Sequence, residues 1–202
     1  MKNKTYYQLK TVFIGDHYTG KSTLVNYLTS GKISPFIDST IGCAFSTITR
    51  ENENTPIQFQ IWDTAGQERY RALSPLYFRN ADIVLICFSV DSIDSFNNLT
   101  IWLKLLKEKV INDNIIYFLI ANKCDLKWKI SQKQMEDFSK KHSLILYQTS
   151  SYSNIGIDSL LDTIISNSKL KWENKVDTIS AFDSIDLVDT GYCNSISNKC
   201  CN

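Results

Sequence analysis

Six stretches of the chain are apolar in the manner of strands, and the segments between them carry apolar residues at helical spacing. The strand candidates span residues 8–15, 44–50, 57–63, 82–89, 115–122 and 144–149. The fourth and fifth contain the continuous runs IVLICF and IIYFLIA, which suit central parallel strands covered on both faces. Asn52-Glu53-Asn54 predicts a hairpin loop between the second and third. Phe96, Leu99, Trp102, Leu103, Leu106 and Val110 form one helical stripe, and Ile157, Leu160, Leu161, Ile164 and Ile165 form another. Ser131 reads as the N-cap of a weaker helical segment ending near His142. Helices alternating with strands predict a doubly wound α/β fold: a six-stranded, mostly parallel sheet with helices on both faces. The ligand is then expected at the carboxyl ends of the strands.

Beyond Lys169 the periodicity fades into a Ser/Asn/Asp-rich sequence. The expected organisation is an N-terminal extension over 1–7, one domain over 8–168 and a flexible tail over 169–202. With 202 residues, 43% apolar and 21% charged, the chain has enough material for one buried core. A net charge of +1 offers no bulk attraction to nucleic acid, so no nucleic-acid partner is expected. The first ten residues, MKNKTYYQLK, lack the apolar region of a secretory signal, and the apolar run 83–88 is too short to span a bilayer. The six cysteines show no metal-ligand spacing and are expected to be reduced on the cytosolic side, with Cys87 a core residue. Three of the six fall within the last ten residues.

The chemistry begins at Gly15-Asp16-His17-Tyr18-Thr19-Gly20-Lys21-Ser22, between apolar Val12, Phe13, Ile14 and a helical pattern at Leu24, Val25, Leu28. This is the phosphate loop G-x-x-x-x-G-K-[ST] in its strand–loop–helix setting. Its glycines let successive N–H groups point inward at anionic oxygens. Lys21 adds a point charge toward the outer phosphates, and the Ser22 hydroxyl suits Mg²⁺. By itself this motif leaves kinases, ATPases and GTPases open.

Trp62-Asp63-Thr64-Ala65-Gly66-Gln67-Glu68-Arg69 narrows the choice. Asp63 ends a strand with its carboxylate near the Mg²⁺ region, Gly66 allows a backbone N–H to approach a γ-phosphate, and Gln67 is placed to orient a water. Asn122-Lys123-Cys124-Asp125 follows the fifth strand. An Asp carboxylate accepts from both N1–H and the exocyclic amine of guanine, donors that adenine does not pair in this way. Asn122 suits either the base edge or a brace on the phosphate loop, and the Lys123 stem suits packing on the ring.

With these motifs in place the chain resembles a Ras-superfamily small GTPase, and so a P-loop NTPase. Thr40-Ile41-Gly42-Cys43-Ala44-Phe45, Trp62 to Arg71 and the terminal Cys200-Cys201 resemble the Rab family, and IGCAF and ERYRALSPLYFRNA look most like its endocytic members. The resemblance covers about residues 8–167 and the terminal cysteines. It implies that Asp16, His17, Tyr18, Thr19, Gly20, Lys21, Ser22 and Thr23 surround the nucleotide phosphates. It implies Thr40 as a switch threonine that meets Mg²⁺ and the γ-phosphate only with GTP, beside the metal ligands Ser22 and Asp63. The last guanine loop would be Thr149-Ser150-Ser151, contacting through backbone N–H groups, with Tyr152 beside it, joining Asn122, Lys123 and Asp125. Segments around Thr40 and Gly66 would order with GTP and relax with GDP.

The resemblance further implies effector proteins, an exchange factor, a GAP, a GDP-dissociation inhibitor and an escort protein as partners. Cys200 and Cys201 would carry geranylgeranyl groups. One lipid chain anchors only marginally and two anchor stably. From Lys169 onward four Lys face five Asp/Glu, so no polybasic signal substitutes for the second lipid. The ending CCN is not a C-a-a-X box, which points to a dedicated Rab-type transferase. The expected location is the cytosol and the cytoplasmic face of endosomal or vesicular membranes.

The chain departs from the family pattern in three places. His17 and Tyr18 are bulky where Gly, Ser or Ala is usual, and would crowd the place where Gln67 and a GAP arginine meet the γ-phosphate. Because an arginine finger supplies on the order of 10³–10⁵ in rate, slow hydrolysis and a weak GAP response are expected. Ile33 stands where an aromatic normally covers guanine, with Phe36 as a substitute, and predicts fast nucleotide exchange. Ser151-Tyr152 replaces the usual Ala-Lys. The leading expectation is a GTP/GDP switch that hydrolyses GTP slowly and recruits effectors in vesicle or endocytic traffic. The alternative is a GTP-binding scaffold with negligible hydrolysis, and a P-loop kinase or ATPase is disfavoured by Asn122, Lys123 and Asp125.

Overall fold

A computed structural model describes residues 7–34, 38–52, 55–69, 74–109 and 115–172. In chain order the elements are β1 (Tyr7–Ile14), α1 (Lys21–Ser30), β2 (Cys43–Asn52), β3 (Thr55–Thr64), α2 (Ser74–Phe78) and β4 (Ile83–Ser89). They continue with α3 (Ile93–Asn97), α4 (Leu99–Lys109), β5 (Ile116–Asn122), α5 (Gln132–His142), β6 (Ile145–Thr149) and α6 (Ile157–Trp172). The six-stranded sheet has the order β2-β3-β1-β4-β5-β6. Only β2 runs antiparallel, paired with β3 from Cys43↔Thr64 to Asn52↔Thr55; every other pairing is parallel.

The period-2 geometry of the strands sorts the core into two layers. Leu9 and Phe13 of β1 join Phe59, Ile61, Leu85 and Phe118 on one face, under Leu24 and Leu28 of α1 and Leu160 and Ile164 of α6. Val12 and Ile14 join Val84, Ile86 and Leu119 on the other, under Trp102, Leu103 and Leu106 of α4 and Met135 of α5. Every residue of β4 is buried, which accounts for its unbroken apolar run. β2 alternates between half-buried and exposed positions, as an edge strand does. Cys87 is plain core: it is 1% exposed, and burial pushes its thiol up to about 12.

Two helical expectations are refined. The stripe from Phe96 to Leu106 belongs to two helices, because Asn98 separates α3 from α4. Asn98 keeps right-handed helical angles (φ −70°, ψ −10°), so the apolar face runs straight through the interruption and periodicity does not register it. Val110, and Glu53-Asn54 of the hairpin, lie outside the described residues. The last helix continues past Lys169 to Trp172. At α5 the expected N-cap is a full capping box: Ser131 Oγ accepts from the Gln134 N–H, and Gln134 Oε1 accepts from the Ser131 N–H at 2.9 Å.

Parallel strands bring the segments after β1, β3, β5 and β6 to one edge of the sheet. The residues expected to carry chemistry follow those strand ends.

Candidate nucleotide-binding site

The loop between β1 and α1 passes very close to β4. Gly15 has φ +135°, and a Cβ there would lie 2.1 Å from the Cys87 carbonyl oxygen, so only glycine fits. Lys21 opens α1, and its ammonium folds back under the loop to donate to the carbonyls of Gly15 (2.9 Å) and Asp16 (2.7 Å). It is 5% exposed. Burial pushes the ammonium below its ordinary value, and the Asp63 carboxylate opposes that shift. Thr19 Oγ1 donates to the same Asp16 carbonyl at 2.8 Å.

The segment after β5 braces this loop. Asn122 Nδ2 donates to the Thr19 carbonyl at 2.8 Å, and Lys123 Nζ donates to the Tyr18 carbonyl at 2.7 Å. Of the two uses open to Asn122, the structure shows the brace. Thr149 Oγ1 fixes its orientation by donating to Asn122 Oδ1 at 2.9 Å. Tyr18 is held in the left-handed region (φ +59°). His17 and Tyr18 are both exposed and lie against each other, ring centroids 4.7 Å apart. Their side chains project into solvent, so the geometry does not favour the hydrolysis-dead scaffold over the hydrolysing switch.

A second cluster forms where α1, residue 40 and the end of β3 meet. Ser22 Oγ and Thr40 Oγ1 are 2.7 Å apart, and Thr40 Oγ1 donates to Asp63 Oδ2 at 3.3 Å. Asp63 is 4% exposed and its Oδ1 is buried with no hydrogen-bond partner among the described residues. Burial pushes this carboxyl above the usual carboxylate range, against the pull of Ser22, Lys21 and Thr40. An orphaned carboxylate oxygen beside two hydroxyls is a set of hard oxygen donors, and it fits Mg²⁺.

Gly66 packs on the phosphate loop so tightly that a Cβ would lie 2.4 Å from Asp16 C and His17 N. Gln67 is half-buried, and its side-chain carbonyl accepts from Arg69 Nε at 2.6 Å.

A cavity of about 320 Å³ adjoins the loop, lined by Gly20, Thr23, Asn122, Lys123, Asp125, Leu126, Ser150, Ser151 and Tyr152. That volume suits a base-sized ligand. Ser150 Oγ donates to Asp125 Oδ1 and fixes the carboxylate. Ser151 Oγ is buried without a partner among the described residues, a polar atom left for a ligand. Tyr152 stands at the rim, 84% exposed. Ile33 is 38% exposed and does not line the cavity. Phe36, Cys200 and Cys201 lie outside the described residues.

Sequence reasoning missed Leu126, which completes the cavity wall, and, although the resemblance places Thr149 in the guanine loop, it did not foresee that Thr149 orients Asn122. It also missed Asn98 and Trp102, both of which bond the Asp16 side chain. Trp102 reads as a simple stripe position, yet a buried indole N–H needs a partner, and that was the available signal.

Comparison with known proteins agrees with this geometry. The description "Ras family" matches residues 10–170. Ras-related protein Rab-5A of Dictyostelium discoideum is 33% identical over 99% of this chain and 98% of its own length. Ras-related protein RABA2a of Arabidopsis thaliana is 36% identical over 79% of this chain and 74% of its own. Ras-related protein RHN1 of Nicotiana plumbaginifolia is 35% identical, covering 75% and 76%. The chain therefore belongs to the Ras family, as a Rab-like small GTPase: a GTP-binding, GTP-hydrolysing switch of membrane traffic.

Proposed function

We propose that Ser22, Thr40 and Asp63 hold Mg²⁺ beside the outer phosphates of GTP, with Lys21 as the protein's own counter-charge. The observation carrying this is the orphaned Asp63 Oδ1, next to two hydroxyls and facing a buried lysine. When bound, Mg²⁺ supplies charge neutralisation at the transferring phosphoryl group. The Gly66 N–H donates to the γ-phosphate. Gln67, released from Arg69, orients a water in line with it. Water attacks phosphorus, the bond to the β–γ bridging oxygen breaks, and GDP and inorganic phosphate result. EDTA should speed release of mant-GDP, and Gln67→Leu should slow single-turnover hydrolysis about tenfold or more. No effect of EDTA would remove the metal site, and an unchanged hydrolysis rate would remove Gln67 from its role.

At the base, Asp125 accepts from guanine while Lys123 and Tyr152 flank the ring. Ile33 gives the base no aromatic cover from its own position, which favours fast exchange unless Phe36 supplies that cover. Ile33→Phe should slow mant-GDP dissociation several-fold, since aromatic contacts contribute about 0.5–1.5 kcal/mol beyond area. Equal rates for the two proteins would refute the assignment.

Residues 8–168 act as the GTPase domain, and 169–202 as a tail that carries the lipids. Ile41, Phe45 and Leu76 are 79%, 56% and 70% exposed beside the Thr40 and Gly66 segments. An apolar surface at γ-phosphate-sensing segments supports effector docking in the GTP state. An exchange factor, a GAP, a GDP-dissociation inhibitor and an escort protein complete the cycle. Among the described residues no helix is long and apolar enough to cross a membrane. Geranylgeranyl groups on Cys200 and Cys201 hold the protein on the cytoplasmic face of endosomal or vesicular membranes, a location supported by the similarity to Rab-5A. Cys200→Ser/Cys201→Ser should move a tagged protein from the membrane to the soluble fraction, and retention on membranes would refute lipid anchoring.

A further inference from the structure

Asp16 stands second in the phosphate loop, yet its side chain leaves the site. Both carboxylate oxygens are taken by donors from the α3–α4 corner. Asn98 Nδ2 donates to Oδ2 at 2.6 Å, and Trp102 Nε1 donates to Oδ1 at 2.8 Å. Asn98 is the residue that interrupts the two helices, and Trp102 is fully buried. Hydrogen bonds to a charged group are stronger than neutral ones, and a bidentate pair fixes orientation as well as position.

The backbone of the same residue faces the opposite way. Its carbonyl accepts from Lys21 Nζ and Thr19 Oγ1, and its main-chain carbon lies against Gly66. Asp16 therefore joins three things: the helical corner, the phosphate-facing lysine and the glycine of the segment after β3. The loop also needs such an anchor. Immediately after Asp16 come two bulky residues, one of them in left-handed backbone geometry, a conformation that persists only where its surroundings enforce it. Lys123 holds the loop at Tyr18, and Asp16 holds the other end.

We propose that Asp16 is a positioning residue that locks the phosphate loop to the α3–α4 corner, so that the placement of Lys21 and Gly66 depends on Asn98 and Trp102. This rests on the reading of the loop as a phosphate site. The test is a double-mutant cycle in the full chain with Mg²⁺ present. Dissociation of mant-GDP and of mant-labelled inosine diphosphate, which lacks the exocyclic amine, is followed for wild type, Asp16→Ala, Trp102→Phe and the double variant.

Asp16→Ala should release mant-GDP about tenfold faster, the effect of losing charge-assisted bonds. The double variant should be no faster than Asp16→Ala alone, because both changes break the same link. The preference for guanine over hypoxanthine should stay as in wild type, since Asp125 is untouched. Unchanged release from Asp16→Ala, or rate increases that multiply in the double variant, would overturn the proposal. So would a parallel loss of base preference, which is the mark of general loosening. If Trp102→Phe does not fold, Asn98→Ala completes the same cycle. A wild-type protein that binds no mant-GDP would instead sink the nucleotide reading itself.

Discussion

Asp125→Asn should lose guanine nucleotide affinity by on the order of 10³-fold or more and acquire binding of xanthosine nucleotides. Ser150 Oγ donates to Asp125 Oδ1, which holds the carboxylate in one orientation while both oxygens keep acceptor capacity for a ligand. Guanine presents two donors side by side, N1–H and the exocyclic amine, and a carboxylate accepts both. An amide offers one donor and one acceptor, so against guanine a donor would face a donor. Xanthine replaces the amine by a carbonyl and restores the match. Because Asp125 is exposed, the substitution should leave thermal stability of the folded chain nearly unchanged. Competition between mant-GDP and xanthosine diphosphate measures the switch. Guanine binding that survives intact would show that Asp125 does not read the base.

Gly66→Ala should separate the two nucleotide states. The added Cβ would meet Asp16 C and His17 N at 2.4 Å. Those are backbone atoms of a loop already fixed by Lys21, Asn122 and Lys123, so the segment bearing residue 66 must be the one to withdraw. Its N–H would then lose the γ-phosphate, and Gln67 would move with it. Losing one preorganised donor at developing charge lowers rate by on the order of 10²–10³-fold, which is the expected fall in single-turnover GTP hydrolysis. GDP affinity should be unaffected, because the roles proposed for both residues are at the γ-phosphate and its attacking water. A variant that hydrolyses GTP at the wild-type rate would show that the close approach of the two loops has no part in the reaction.

Much of this was legible in the residues because the constraints are local. Gly15, Gly20, Lys21 and Ser22 announce a phosphate loop by backbone geometry and charge, and the all-buried β4 announces itself by an unbroken apolar run. The sequence leaves Asn122 two uses, and only three-dimensional placement separates them: the acceptor that it serves, Thr19 O, is over a hundred positions away. The break at Asn98 was invisible for a different reason, since a residue with helical angles interrupts the ladder without shifting the phase of the stripe. The turn of the Asp16 side chain away from the phosphates was invisible too, because nothing adjacent in sequence reveals that two helix donors await it. His17 and Tyr18 show the converse limit: their bulk is plain from sequence, whereas the direction of their rings into solvent is not.

The brace from Asn122 to Thr19 carries a kinetic consequence. The backbone of Asn122 continues directly into Lys123 and Asp125 at the base, while its side chain grips the loop at the phosphates. Base and phosphates are therefore not two independent holds whose failures must coincide by chance. Drawing the segment after β5 away from the loop would break the brace at Thr19, so opening at the base also frees one end of the phosphate loop. An agent that pries the base side open would therefore speed release of the phosphates as well.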